Sequence, residues 1–360
     1  MNRPRAARSP IAWVRANLFA TPADAVITLA LLLLLLWIVP PIARWAVIDA
    51  TWTGETKAAC DRGGACWAVV TARWRQMLAG FYPSNQLWRV GLAMLLLAAA
   101  VLPLAVSRWT RFILIAGPLG VAAAFAVLAG VGPLANVGTE YWGGFFLNVL
   151  IGVAGMMFSL PIGVLLALGR RSRLPVIKGL CVAFIEFVRG VPLITLLFMA
   201  SVMLPLFAPA GASFDLLARA LVVVTLFSSA YLAEAVRGGL QAVPESQRDA
   251  ARALGLGPLR TTVLIVLPQA LRISIPAIVN SFIGLFKDTT LLFVIALLDV
   301  MGVMRQALAD YAWQGVDAEG YAFVGLVFFL ACFGLSRWSA ALERRRDRRP
   351  ELERPLTEPA

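Results

Sequence analysis

Apolar residues collect along this chain into runs long enough to cross a bilayer, each closed by a short polar stretch. The runs fall at 25–43, 87–106, 112–131, 143–168, 180–204, 216–236, 271–303 and 320–338. A helix needs roughly 20 mostly apolar residues to span the hydrocarbon core, so the pattern predicts an all-α membrane protein with about eight transmembrane helices. The first run, which contains LLLLLLW, follows a basic N-terminus, as the core of a signal peptide would. It is long enough to span and lacks a small-residue cleavage site, so it reads as a retained span.

Basic residues test that count. Arg3, Arg5, Arg8 and Arg15 precede span one, and Arg108 and Arg111 join spans two and three. Arg170, Arg171, Arg173 and Lys178 join four and five; Arg248, Arg252 and Arg260 lie between six and seven; Arg344, Arg345, Arg346, Arg348 and Arg349 follow span eight. If every span crosses once, all of these share one side, which the positive-inside rule makes the cytoplasm and which takes both termini. The loops at 132–141 and 205–215 carry no Lys or Arg. The long loop at 49–86 does carry some, and is expected on the outer face.

Composition then removes whole classes of function. Hydrophobic residues make up 60% of the 360 and charged residues only 14%, against roughly 25% charged in an ordinary soluble domain. The net charge of +12 sits in the short clusters between spans, where it orients helices, so no nucleic-acid partner is expected. There is no histidine, which removes Ser-His-Asp and Cys-His nucleophiles and the HExxH metal site. There is no GxxxxGK[ST] loop for binding ATP. No catalytic residue, cofactor or metal is expected, and the one obligatory surrounding is membrane lipid.

In the long outer loop CDRGGAC places Cys60 and Cys66 around a Gly-Gly turn, in a compartment where disulfides persist. A bridge and a pair of reduced thiols are both compatible with the spacing. Cys181 and Cys332 lie in apolar spans and read as packing residues.

Between spans six and seven the chain reads PESQRDAARALGLGPLRTTVLIVLPQA from Pro244. Pro244 suits a helix start, Ser246 with Asp249 matches a capping pair, and Gly255 is a left-handed stop. Gly257 and Pro258 restart a second helix, so an elbow is expected, one helix along the membrane surface and another climbing into span seven. On the first, Ala250, Ala251 and Leu254 form a small apolar face among Arg248, Asp249 and Arg252, suited to a partner's groove. A well-capped connector would look the same.

Resemblance weighs against the plain connector. Asp249-Ala250-Ala251, Gly255, Ile265 and Leu267-Pro268 resemble the EAA-x3-G-x9-I-x-LP signature of ABC importer permeases, with Asp249 standing where the family usually has Glu. In that family the loop is the coupling helix that inserts into a cytoplasmic ABC ATPase subunit. AFIEFVRGVPLI at 183–194, AYLAEAVRGGLQAVPESQ at 230–247 and FKDTTLLFV at 286–294 are similar to the polar amino-acid uptake branch. GACWAVV and FYPSNQLWRV resemble the longer permease chains of general L-amino-acid importers, which carry extra N-terminal spans. The resemblance implies a bacterial inner-membrane chain with a basic N-terminus at 1–24 and a three-span extension at 25–140. A type I core at 141–340, with its EAA loop at 238–270, and a charged cytoplasmic tail at 341–360 would follow. It implies three partners as well: the ATPase, a similar or identical second permease chain, and a periplasmic amino-acid-binding protein.

Ionisable residues inside spans are costly, roughly 2.5–3.5 kcal/mol each on insertion scales, and usually face a cavity or another charge. Glu186 with Arg189 and Glu234 with Arg237 are spaced to pair at i,i+3. They read either as gate or loop-anchoring pairs, or as pairs whose arginines snorkel to the headgroups. Pro192 and Pro205 are placed to bend span five. Pro276, Asn280, Ser281, Gly284, Lys287, Asp288, Thr289 and Thr290 predict a break near the centre of span seven beside a water-filled route. Lys287 and Asp288 are the leading pathway candidates, a structural ion pair being the alternative. Gly155, Ser159 and Gly163 in span four form a small-residue face for close helix contact, within the subunit or with a second permease.

Three rival functions remain. An ABC permease for another small solute, such as an opine or a quaternary amine, shares the signature. An ion-coupled secondary transporter would need paired broken helices, and a membrane-embedded enzyme would need a nucleophile and base at one depth.

Overall fold

A computed structural model describes residues 10–60, 63–101, 110–132, 134–207, 209 and 214–347. The predicted basic positions Arg3, Arg5, Arg8, Arg108, Arg348 and Arg349, and the 102–106 end of the second predicted span, lie outside the described residues. The fold is helical; among the described residues β pairing is limited to isolated bridges.

Among the described residues fourteen α-helices follow one another: α1 Pro10–Leu18, α2 Pro22–Ala43, α3 Ala68–Ala79, α4 Leu87–Val101, α5 Thr110–Ala129, α6 Gly144–Arg170 and α7 Pro175–Gly190. After them come α8 Leu193–Phe198, α9 Leu216–Ala242, α10 Glu245–Ala253, α11 Pro258–Arg260, α12 Leu267–Asp288, α13 Val300–Ala309 and α14 Asp317–Asp347. Among the described residues six helical stretches are long and apolar enough to cross a membrane, and a bent pair, α7 with the stretch from Leu193 to Phe207, makes a seventh if it is one span. With the apolar 20-residue α5 beside them, these helices are consistent with the about eight spans predicted.

The chain forms two compact units, Met1–Ala72 with Asp310–Gly320, and Arg73–Ala309 with Tyr321–Ala360. In the first, α2 is apolar all round and has no buried residue, as a helix bathed in lipid would. A capping box of Thr21 and Asp24 starts it. Beyond it the stretches 49–60 and 63–66 are pinned by the Cys60–Cys66 disulfide, by the tilted rings of Trp45 and Trp52 on Trp67, and by the Cys66 N–H donating to Glu319 at 3.1 Å. The bridged reading of the two cysteines is the one the structure adopts.

In the second unit α6 and α9, each of 27 residues, form the central pair. Small residues let them approach. A Cβ on Gly163 would stand 2.8 Å from Leu232 Cβ and 3.0 Å from the Ser229 carbonyl, and one on Gly155 would stand 2.9 Å from Val224 Cγ1. The small-residue face therefore packs within the subunit, where van der Waals contact takes the place of the hydrophobic effect. Helices α4, α5, α7 and α12 pack around this pair, closing a core that includes Leu97, Leu128, Phe146, Leu150, Ile151, Leu217 and Leu285.

One expectation about breaks is corrected and another, the bend of span five at Pro192, is met. Span seven does not break near its centre: α12 runs unbroken through Pro276, Asn280 and Gly284 to Asp288, and only then tightens into a 3-10 turn, Thr289–Ile295. Neighbouring helices tolerate proline within a span by re-satisfying the freed carbonyl. The sharp break lies in span five, where α7 and the following helix meet at 101° across Val191 and Pro192. Pro192 sits there in extended geometry as the N-cap of α8, which a proline both favours and imposes on its predecessor.

Candidate functional site

The elbow is built from local sequence. Helix α9 stops at Ala242, and Val243 and Pro244 are extended, so α10 begins afresh at Glu245. The predicted Ser246–Asp249 cap does not form: Pro244 is the N-cap, without a side-chain bond, and Asp249 turns to Arg252 instead, at 3.1 Å. The far end is a Schellman stop. Leu256 N–H donates to the Ala251 carbonyl at 3.0 Å and Gly255 N–H to Arg252 at 2.9 Å, with Gly255 at φ +77°, a conformation glycine adopts without penalty. Gly257 then caps the helix that starts at Pro258.

The apolar face of α10 is divided. Ala251 is only 3% exposed and packs inward, whereas Leu254 is 82% exposed, and Ala250, one turn before Leu254, is exposed with it. Leu259 follows at 77%. The outward face is thus Ala250 and Leu254, not all three residues. Around it lie the Glu245–Arg248 and Asp249–Arg252 pairs.

Past Pro258 the chain passes through a π turn, Thr261–Val266, before α12. Leu267 N–H reaches back five residues to the Thr262 carbonyl. Pro268 explains the widening: it has no N–H for the Leu264 carbonyl and its ring crowds that position. Ile265 accepts from Gln269 Nε2 at 2.9 Å, and Gln269 also meets Gln247 of α10 at 3.3 Å. Leu267 packs on the core. The Asp249, Ala250, Ala251, Gly255, Ile265, Leu267 and Pro268 set therefore falls on one continuous joint.

Near that joint lies an ion-pair chain. Arg170, at the end of α6, bonds Glu186 of α7 at 3.0 Å and Glu234 of α9 at 2.7 Å. Glu234 also holds Arg237 at 2.9 Å, and Arg237 donates to Gln241. The Glu234–Arg237 pair forms as predicted. Glu186–Arg189 does not: Glu186 goes to Arg170, and Arg189 lies over the Tyr231 ring at 5.6 Å. An i,i+3 spacing permits a pair, and a cation from another helix competed better. Arg171 donates to the Leu240 carbonyl; burial and then the Arg248 charge lower it from its ordinary value, while Glu245 acts the other way.

A cleft of about 290 Å³ opens between α6, α9 and α12. Ser159, Ser228, Tyr231, Asn280, Ser281 and Asp288 bring polar groups to it between Phe227, Leu232, Phe282 and Leu285. Asp288 belongs to its wall; Lys287 is exposed, and no salt bridge between the two is present among the described residues, so the structural ion pair is not formed.

Beyond Asp288 a buried polar node was not anticipated from sequence. Asn148 of α6 donates to Thr289 Oγ1 at 2.9 Å and to Asp299 Oδ2 at 3.0 Å, and its carbonyl oxygen accepts from Val300 N–H at 3.1 Å. Asn148 and Asp299 are fully buried. A lone Asn in an apolar run carries the signal that an in-span polar group needs a partner, but the partner is 151 residues away. Among the described residues no His, Cys, Asp or Glu cluster could hold a metal.

Membrane-length helices, a polar cleft between them and a capped elbow with an exposed apolar tip are the parts of a multi-pass transport component. The sequence model described as the inner membrane component of binding-protein-dependent transport systems matches residues 159–348, and the chain belongs to that family. It is 45% identical over 346 residues to the inner membrane amino-acid ABC transporter permease protein YhdY of Escherichia coli (strain K12), covering 92% of each chain. To the glutamate/glutamine/aspartate/asparagine transport system permease protein BztC of Rhodobacter capsulatus it is 40% identical over 405 residues, covering 93% of each. Among solved structures it is similar to the crystal structure of an amino acid ABC transporter with histidines, with TM-score 0.50 and 27% identity, covering 56% of this chain and 92% of that one. Members of the family are transport components of the inner membrane, not enzymes, and they work with a separate ATPase and a substrate-binding protein.

Proposed function

We propose that this chain is the permease subunit of an ATP-driven importer of L-amino acids, with α10 as the lever that a separate ATPase moves. The observation that carries the reading is the elbow: a short helix fixed at both ends by backbone geometry, holding Leu254 82% exposed where a partner's groove can close over it. The relatives named as amino-acid permeases support the substrate class.

In this reading the elbow, with both termini, faces the cytoplasm, in keeping with the basic residues Arg170, Arg171, Arg173, Lys178, Arg248, Arg252 and Arg260 between the flanking spans. A second, similar or identical permease supplies the matching lever, and a periplasmic binding protein delivers cargo to the opposite ends of the helices. The 141–340 core moves the cargo, and the three spans of 25–140 extend it. The cleft receives the amino acid, with Asp288 facing its ammonium group and the Ser228 hydroxyl and Asn280 amide facing its carboxylate. Glu186, Glu234, Arg237 and Arg170 hold the lever end of the bundle together, and Arg189 steadies Tyr231.

Reconstitution tests it. Vesicles holding the whole complex are expected to accumulate labelled L-amino acids only with ATP, the ATPase and the binding protein. Leu254→Asp removes the apolar tip, and Gly255→Val puts a side chain at φ +77°, at a cost of about 1–2 kcal/mol. Both are expected to cut transport and the ATPase activity that depends on the permease. Uptake by the purified chain alone, or full coupling in both variants, would overturn the reading.

A further inference from the structure

We infer that Asn148 and Asp299 are positioning residues for transport: they hold Thr289, and through the adjoining backbone Asp288, in place at the wall of the cleft. The inference rests on the reading of that cleft as the cargo site.

Asp288 is the last residue of α12, and Thr289 begins the 3-10 turn. The direction in which Asp288 presents its carboxylate is therefore set at a change of helix type, where the helix's own hydrogen bonds are fewest. Thr289 bears the tether. Its hydroxyl donates to the Phe286 carbonyl at 2.6 Å and accepts from Asn148 Nδ2 at 2.9 Å, and the residue is 1% exposed.

Asn148 is held in turn. Its other Nδ2 hydrogen goes to Asp299 Oδ2, its oxygen accepts from Val300 N–H, and Gly302 N–H donates to Asp299 Oδ1 at 2.9 Å. Each Asp299 oxygen therefore faces a donor. An Asn at 299 would set its NH2 against one of them, so the site requires two acceptors. With no exposed face, no member can exchange its partner for bulk water. The backbone adds a second clamp, Gly144 N–H donating to the Leu298 carbonyl at 2.8 Å. The start of α6, the end of α12 and the start of α13 are thus locked at one point beside the cleft.

The test uses the reconstituted complex and whichever labelled L-amino acid it takes up fastest from the twenty. Removing the tether by Thr289→Val is expected to raise the KM for uptake about tenfold, the scale of one buried hydrogen bond, while leaving ATP turnover at saturating cargo within about twofold. Thr289→Ser, which keeps the hydroxyl, is expected to restore KM. A merely structural residue would instead lower assembly and Vmax, with no rescue of KM. Asp288→Asn is the control for the cleft: if it raises KM while Thr289→Val does not, the positioning role is overturned and the cleft stands. If Asp288→Asn leaves KM unchanged, the cleft reading falls and this inference with it. Should Thr289→Val fail to assemble, Asp299→Asn gives the same discrimination.

Discussion

Asp299 shows how much one residue's surroundings can oppose each other. Burial pushes its carboxyl up from 3.8 to about 6, against the hydrogen bonds from Asn148 and from the Gly302 and Met301 amides. The folded protein then holds a proton on Asp299 more tightly than the unfolded chain does. This group's contribution therefore favours folding more as pH falls through about 6 towards 3.8, and loses that advantage as pH rises above 6. The span of the effect is about 3 kcal/mol. Melting the detergent-solubilised protein between pH 7.5 and 5 is expected to show the wild type gaining stability relative to Asp299→Asn; parallel curves would refute it. The partnership of Asn148 with Asp299 was not legible in the sequence, because the spacing rules that reveal helix pairs extend only one turn and these two residues stand 151 apart. The same limit produced the wrong partner for Glu186, which reaches Arg170, sixteen residues back.

At the scale of elements, the elbow was the part most readable in advance, since Pro244, Gly255, Gly257 and Pro258 act through their own backbone preferences. What sequence could not give was which side of α10 turns inward, because Ala250 and Ala251 are chemically alike and only packing separates them. The α6–α9 contact was half legible: the Gly155, Ser159 and Gly163 spacing announced a close approach, and the neighbour's identity came only with the fold. With Leu232 Cβ 2.8 Å from a Cβ at Gly163, Gly163→Val is expected to destabilise the protein by about 1–3 kcal/mol through overpacking. Gly179, where a Cβ meets nothing within 4 Å, is the matched control: Gly179→Val is expected to leave that contact intact. Thermal melting of the two variants in one detergent compares them, and equal loss in both would contradict the packing argument.

For the molecule as a whole, the number of spans and the bend at Pro192 were legible in the sequence, whereas the unbroken course of α12 through Pro276 was not. Pro276 and Pro192 look equally disruptive in the sequence; the first is carried within a long helix and the second stands at a junction already extended. The two compact units also give a prediction. The disulfide closes a loop with a sequence separation of 6, and chain entropy alone makes such a loop worth about 2 kcal/mol. Reduction of the purified protein is expected to open 49–66 to protease while leaving 244–257 as resistant as before; equal cutting at both sites would show that the units do not loosen separately. A last consequence comes from the π turn at Thr261–Val266. A turn wound one residue too wide is slack in a spring. Pro268 has no N–H with which to close the tighter pitch, so that slack stays pinned beside the proline and fixes the point on the shaft about which the elbow can swivel.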